Sequence, residues 1–270
     1  VLAGVSLSAP ANPDTFRLPT VPYSTVSVER GYKLFIDNCS ACHGPLGEGN
    51  GPLARSTIKP VANLTEPHAA QHTMGDIFHW ISYGLGESMP GFTDANDDAK
   101  WDIINFLRSL SATYRSRLIE ETDAGQWLVA PDLELLGPGE TATTLSGLRG
   151  KPTVISFATC SKSDAVRNHL DRISAAIGTT ANHVRIVDES CASEADALTP
   201  RDREAAVLSF ALFNRSFSKP FSLSISEAHF LIDRSGFVRM RFNSISTKQG
   251  VRLTTEIERL SREPLRDIPI

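Results

Sequence analysis

The stretch Cys39-Ser40-Ala41-Cys42-His43 places two thiols and an imidazole at a spacing with a specific chemistry. Thiols separated by two residues can each add to a haem vinyl group, and the histidine that follows can ligate the iron. We therefore predict that Cys39 and Cys42 attach one covalent c-type haem and that His43 is its proximal ligand. The alternative interpretation is a structural or redox C-x-x-C that happens to precede a histidine.

The residues on both sides of this motif fit a flat macrocycle. Over residues 28–38, Tyr32, Phe35 and Ile36 recur at helical spacing, which predicts a helix leading into the motif. Four of the eight residues after His43 are glycines, which predicts a loop. A helix that delivers the cysteines into such a loop leaves room for the haem.

The second axial ligand is predicted among three methionines. Methionine or histidine usually fills this position in an electron-transfer haem. Met89 lies in a loop whose glycines and Pro90 prevent it from continuing as a helix. We therefore predict that His43 and Met89 bind the haem iron. Met74 is more simply a packing residue, and Met240 belongs to the second half of the chain.

A helix is also predicted from Asp97 to Leu110, with Phe106 approaching the first helix at Gly31. In this order, the motifs of residues 24–112 resemble the small class I cytochromes c. The resemblance implies an all-α domain with a low-spin haem that transfers one electron. The same region resembles, more narrowly, the cytochrome modules of copper-handling membrane proteins, and the segments that carry this likeness are 44–52, 60–64, 75–78 and 89–92.

Three histidines between the haem motif and Met89 raise the question of a second metal site. His68, His72 and His79 are close in sequence and could bind copper or zinc. Histidines on the surface or at the haem edge are the simpler interpretation, because Pro67 leaves their register uncertain.

Length and composition predict two soluble domains. The chain has 270 residues, of which 41% are hydrophobic, and a net charge of −4 without a basic stripe, which excludes nucleic acid as a partner. The predicted parts are an extended N-terminal tail (1–23), a cytochrome c domain (24–112), a linker (113–129), a thioredoxin-like domain (130–262) and a C-terminal tail (263–270).

The predicted compartment follows from the haem. Covalent haem attachment takes place outside the cytoplasm, so we expect a periplasmic or equivalent location, where disulfides are also stable. No apolar run is long enough to span a bilayer. The chain begins at Val1, and we expect that a signal peptide has been removed or that a longer, membrane-anchored protein has been cut.

The second domain is predicted to be α/β, with strand, helix, strand, helix, hairpin and helix in sequence. This order resembles the thioredoxin fold, especially its peroxiredoxin-like and Sco branches. Residues 131–132, 150–152 and 231–233 carry the likeness. The active-site turn differs from these families, because Cys160 is followed by Ser161, Lys162, Ser163 and Asp164, with no second thiol in reach.

Three interpretations of Cys160 remain open. It could pair with Cys191, act as a lone peroxidatic or copper-binding thiol, or be a small buried hydrophobic residue. Cys160, Asp164, Cys191 and His229 are the candidate residues of a second, copper or thiol, site.

The two domains together resemble the periplasmic extension of CopD-type copper-resistance proteins. This resemblance implies an electron carrier whose second domain docks a redox protein partner, with a role in copper homeostasis. The alternative is a thiol or copper redox enzyme, or a chaperone, in which the haem supplies electrons to Cys160.

Overall fold

The computed structural model describes residues 12–116, 128–137, 141–158, 164–187, 198–213, 227–242 and 247–268. The chain divides into two compact units. The first contains Val1–Pro22 and Arg30–Ser111, and the second contains Tyr23–Glu29 and Ala112–Ile270. No described helix has the length and apolar character that are needed to cross a membrane.

Residues 12–116 contain four α-helices: α1 (Thr25–Asn38), α2 (Ser40–His43), α3 (Met74–Tyr83) and α4 (Asp97–Ser116). Short 3-10 helices cover Ala54–Ser56 and Pro67–Gln71. The two helices predicted over residues 28–38 and 97–110 are both present. Each is longer than predicted, since α1 begins at Thr25 rather than Val28 and α4 continues past Leu110 to Ser116.

The close approach of α1 and α4 requires a glycine. A Cβ atom on Gly31 would fall on the backbone carbonyl of Asp102, with Ile103 N as the next neighbour. Gly31 therefore meets α4 at Asp102, one turn before Phe106. The Phe106 ring packs instead against Phe35, with the two ring centroids 5.1 Å apart. This places the expected helix crossing at a different residue of α4.

An ion pair is formed beside this crossing. The guanidinium of Arg30 donates to both carboxylate oxygens of Asp102, at 2.7 and 3.0 Å. The Asp102 side chain is 7% exposed and that of Arg30 is 53% exposed, so a buried carboxylate is paired with a guanidinium that is open to solvent. Paired, nearly parallel bonds of this kind fix orientation as well as distance.

The second unit is built on a five-stranded sheet with the strand order β1-β8-β7-β4-β5. Its strands are β1 (Leu128–Val129), β4 (Thr153–Ala158), β5 (Asn182–Val187), β7 (Glu227–Ile232) and β8 (Phe237–Phe242). Strands β4 and β5 are parallel, whereas β7 is antiparallel to both β4 and β8. A smaller sheet has the order β3-β2-β6 and contains β2 (Glu134–Leu136), β3 (Ala142–Thr144) and β6 (Thr199–Pro200).

Helices cover both faces of the large sheet, and their ranges are α5 (Asp164–Ile177), α6 (Arg203–Phe213) and α7 (Thr247–Arg262). One face packs against Phe210 and its neighbours in α6. The other packs against Ile173 of α5 and Ile257 of α7. Along the chain the elements follow the order β4-α5-β5-α6-β7-β8-α7, which is the strand, helix, strand, helix, hairpin, helix order predicted from the sequence.

Candidate haem site

One helical turn carries both thiols and the imidazole. Cys39 N–H donates to Phe35 O at 2.8 Å, which continues the hydrogen bonds of α1 into the motif. His43 N–H then donates to Cys39 O at 2.9 Å, and Cys42 N–H donates to the same oxygen at 3.2 Å. The turn therefore fixes the spacing of Cys39, Cys42 and His43, all of which remain partly accessible.

The glycine-rich loop folds back tightly over this turn. Gly51 N–H donates to Cys42 O at 3.0 Å, and Leu53 N–H donates to Ala41 O at 2.8 Å. A Cβ atom on Gly51 would lie 2.5 Å from the carbonyl oxygens of Ser40 and Ala41, which is too close for any other residue. The loop thus holds the turn in place through main-chain contacts.

His43 is held in the form that ligates a metal. Its Nδ1 lies 3.2 Å from the carbonyl oxygen of Ala62. Because a carbonyl can only accept, Nδ1 carries the proton and Nε2 keeps its lone pair. Burial lowers the pKa of His43, although the bond to Ala62 opposes this, and a lowered pKa favours the neutral imidazole.

The thiols do not have the properties of a dithiol oxidoreductase. Burial, and secondarily the charge on Cys42, raises the pKa of Cys39 to about 11. Attacking cysteines of redox C-x-x-C motifs have lowered pKa values, because the thiolate is the nucleophile. The two cysteines fit haem attachment better than disulfide exchange.

The Met89 loop is a tight turn fastened to the end of α3. Leu85 N–H donates to Met89 O at 2.9 Å, and Phe92 N–H donates to Ile81 O at 2.6 Å. A side chain on Gly84 would collide with the Met89 carbonyl. The loop therefore presents Met89 from a fixed backbone.

Met74 has a different environment. Its side chain packs against an apolar cluster that includes Phe78, Trp101 and Ile104. This contact supports the interpretation of Met74 as a packing residue, as expected from the sequence.

The residues present fit a haem c. Two neighbouring thiols, a neutral imidazole with Nε2 available and a thioether on a fixed loop are the donors that this group requires. Residues 28–111 match the family model described as cytochrome c. These residues form a cytochrome c domain. The match covers about a third of the chain, and it indicates electron transfer through a covalently bound haem.

Comparison with curated proteins finds no match. Among solved structures, a chain of the reducing HAO-like protein complex of Kuenenia stuttgartiensis is 27% identical, with a TM-score of 0.28, and the match covers 32% of this chain and 44% of that one. The present chain thus spans less than half of that relative.

Two further structures match about half of this chain. A thiol:disulfide interchange protein DsbE of Chlorobium tepidum is 17% identical with a TM-score of 0.37, over 49% of this chain and 95% of that one. The copper-bound ScoI of Bradyrhizobium japonicum is 16% identical with a TM-score of 0.35, over 49% of this chain and 99% of that one.

The three histidines considered for a second metal site are not brought together. His68 and His72 have ring centroids 5.4 Å apart, whereas His79 Nδ1 lies 2.8 Å from Asp14 Oδ2. In the part of the chain that the structure describes, no three His, Cys, Asp or Glu side chains are grouped to hold a metal ion. His68 and His72 are exposed, as the simpler interpretation has it, whereas His79 is half-buried against Asp14.

Most of the second candidate site lies outside the described residues. This holds for Cys160, for Cys191 and for the side chain of Asp164. The remaining member, His229, is on β7 and is fully buried. Its ring stacks on Phe242 with centroids 5.0 Å apart.

A row of polar side chains crosses the sheet at His229 and was not predicted. His229 Nδ1 lies 2.9 Å from Ser156 Oγ, which lies 2.8 Å from His183 Nε2. His183 Nδ1 lies 2.6 Å from Ser174 Oγ, which also accepts from Arg185 at 2.6 Å. We call these five residues the histidine-serine row. Its one sequence signal was Ser156, a polar residue between the apolar Ile155 and Phe157.

Burial is the main cause of the lowered histidine pKa values in this row. It lowers the pKa of His183 to about 3, with a smaller contribution from the charge of Arg185. Burial, followed by the charges of His169 and His183, also lowers the pKa of His229 to about 3. Both imidazoles are therefore neutral at neutral pH, His229 as a core residue and His183 as a partly buried one.

Proposed function

We propose that this chain is an extracytoplasmic carrier of single electrons, with one haem c attached by Cys39 and Cys42 and ligated by His43 and Met89. The observation that carries the proposal is the state of His43. Its Nδ1–H is bound to Ala62 O, which leaves Nε2 for the iron beside two thiols. When bound, the haem supplies an iron that takes up and releases one electron.

The protein residues around this site have defined tasks. Ala62 orients the imidazole of His43 and makes it a better electron donor to a metal. The two cysteines anchor the group to one turn of helix, and the Met89 loop supplies a neutral sulfur ligand. A neutral thioether favours the reduced iron and so raises the reduction potential.

We further propose that the thioredoxin-like unit docks a redox protein partner in the periplasm, with a role in copper homeostasis. Support for this step comes from the resemblance of the sequence to CopD-type extensions. The carrier proposal stands without it, because it depends only on the residues around His43 and Met89.

The test is a comparison of two methionine variants. We expect the ferric protein to show a thioether-to-iron charge-transfer band, and Met89→Ala to remove the band and to lower the reduction potential. The matched control, Met74→Ala, changes a core contact and leaves the band in place. Loss of the band in Met74→Ala, or its persistence in Met89→Ala, would show that Met89 is not the ligand.

A further inference from the structure

The N-terminal segment of the first unit is fastened to α3 by a dense set of polar contacts. We call residues 12–22 the N-terminal strap. Asp76, in the first turn of α3, is 6% exposed and sits at the centre of these contacts. Its Oδ1 accepts from Asn12 Nδ2 at 2.8 Å and from Thr15 Oγ1 at 2.6 Å.

The start of α3 is bound to the strap through the main chain as well. Thr73 Oγ1 donates to Thr15 O at 2.7 Å and accepts from Asp76 N–H at 3.0 Å, so one hydroxyl caps α3 and holds the strap. A side chain on Gly75 would collide with the carbonyl of Asp14. The strap and the helix thus meet backbone to backbone.

Charged side chains of the strap also contact the middle of α3 and the start of α4. Asp14 Oδ2 lies 2.8 Å from His79 Nδ1 in the middle of α3. The guanidinium of Arg17 lies 4.0 Å above the Phe78 ring and donates to Asp97 at the start of α4. The strap therefore holds α3 at its first turn and at its middle, and connects it to α4.

These contacts keep their carboxylates ionised. Burial alone would raise the pKa of Asp76, but hydrogen bonds from Thr15, Thr73 and Asn12 outweigh it and lower the pKa. The hydrogen bond to His79 lowers the pKa of Asp14 in the same way. A buried carboxylate with these donors becomes costly when a donor is removed.

The other end of α3 leads directly into the Met89 loop. The helix ends at Tyr83, Gly84 N–H donates to Trp80 O at 2.8 Å, and Phe92 N–H donates to Ile81 O. The position of Met89 therefore depends on the position of α3. Because a short helix moves as a rigid body, a displacement of the first turn of α3 also displaces the Met89 loop relative to His43.

We propose that the N-terminal strap positions α3 and thereby sets how firmly Met89 holds the sixth site of the haem iron. Asn12, Asp14 and Thr15 are positioning residues that act through Asp76 and His79. The inference rests on the proposed function, since it requires Met89 to be the ligand.

The experiment measures competition for the sixth site in the full, haem-loaded chain. Imidazole is titrated into the ferric protein, and its binding is followed by loss of the thioether-to-iron band. We expect Thr15→Val to raise the affinity for imidazole about tenfold, which corresponds to about 1.4 kcal/mol. Thr15→Ser keeps the hydroxyl and restores the wild-type affinity. Asp14→Asn changes the more accessible His79 contact and raises the affinity to a smaller extent.

The matched control is Thr93→Val, the same substitution at an exposed threonine of the first unit. We expect no change in its imidazole affinity. Hydrogen exchange at the amides of residues 74–92 is the second readout, and we expect it to be faster in Thr15→Val and unchanged in Thr93→Val. If Thr15→Val does not fold, the imidazole affinity of Asp14→Asn decides whether the strap affects the sixth site.

Two results would overturn the inference. One is an unchanged imidazole affinity in the strap variants, and the other is an equal rise in Thr93→Val. A wild-type protein without the thioether band would instead contradict the proposed function, so the two failures can be told apart.

Discussion

Replacing Gly31 by alanine tests the helix crossing, because two effects of opposite sign compete there. In an exposed helix, glycine to alanine stabilises by about 1 kcal/mol through helix propensity. At Gly31 the added Cβ would occupy the position of the Asp102 carbonyl, so α1 and α4 must separate. Backbone shifts that relieve such overpacking cost about 1–3 kcal/mol. Separation also lengthens the Arg30–Asp102 bonds and opens the contact between Phe35 and Phe106.

Loss of these contacts adds about 1 kcal/mol, so we expect Gly31→Ala to lower the free energy of unfolding by about 2 kcal/mol net, or the melting temperature by about 10 °C for a unit of this size. Thermal unfolding of the haem-loaded chain, followed by haem absorption, reports on the first unit. Asp37→Ala, at an exposed position of the same helix, is the control and changes stability by less than about 0.5 kcal/mol. A Gly31→Ala protein as stable as the wild type, or more stable, would refute the close approach.

Two further predictions concern buried charge and pH. Asp102→Asn weakens the paired bonds from Arg30 and should lower the free energy of unfolding, measured in urea, by about 1–3 kcal/mol. Glu134→Gln removes an exposed ion pair and should lower it by less than about 1 kcal/mol. Equal losses in the two variants would contradict this prediction. Because the folded-state pKa values of His183 and His229 are about 3, the unfolded chain binds protons first as the pH falls. The histidines therefore contribute their full share to the free energy of unfolding of the second unit above about pH 6.5. Between about pH 6.5 and pH 3, each histidine lowers this free energy by about 1 kcal/mol for every pH unit. Urea unfolding at several pH values measures the slope, and a flat profile would show that the histidines are not buried and neutral.

The sequence predicted those features that depend on local patterns. The limits of β4 follow from an apolar run after Gly150-Lys151-Pro152, and the structure has the strand at Thr153–Ala158. The start of α1 was placed too late, although a local signal existed. Ser24 Oγ accepts from Ser27 N–H at 3.3 Å, which is a helix cap that the apolar periodicity does not register.

Contacts between residues distant in sequence could not be predicted in this way. Asp76 is 61 positions from Thr15, and neither residue has a neighbour that marks it as a partner of the other. The same is true of Ala62, which binds His43 through its backbone carbonyl, so its side chain carries no signal. The haem motif was predictable because its chemistry is contained in five consecutive residues.

Only the Arg185 end of the histidine-serine row has a fixed direction, because a guanidinium can only donate. Each neutral imidazole carries one ring proton and each hydroxyl carries one proton, so the donors and acceptors of Ser174, His183, Ser156 and His229 depend on one another. A second proton on His183 would make both of its ring nitrogens donors, so Ser174 Oγ and Ser156 Oγ would both have to accept from it. Acid at one histidine therefore changes the hydrogen bonds that are available to the other, although the two lie on strands that are distant in the sequence.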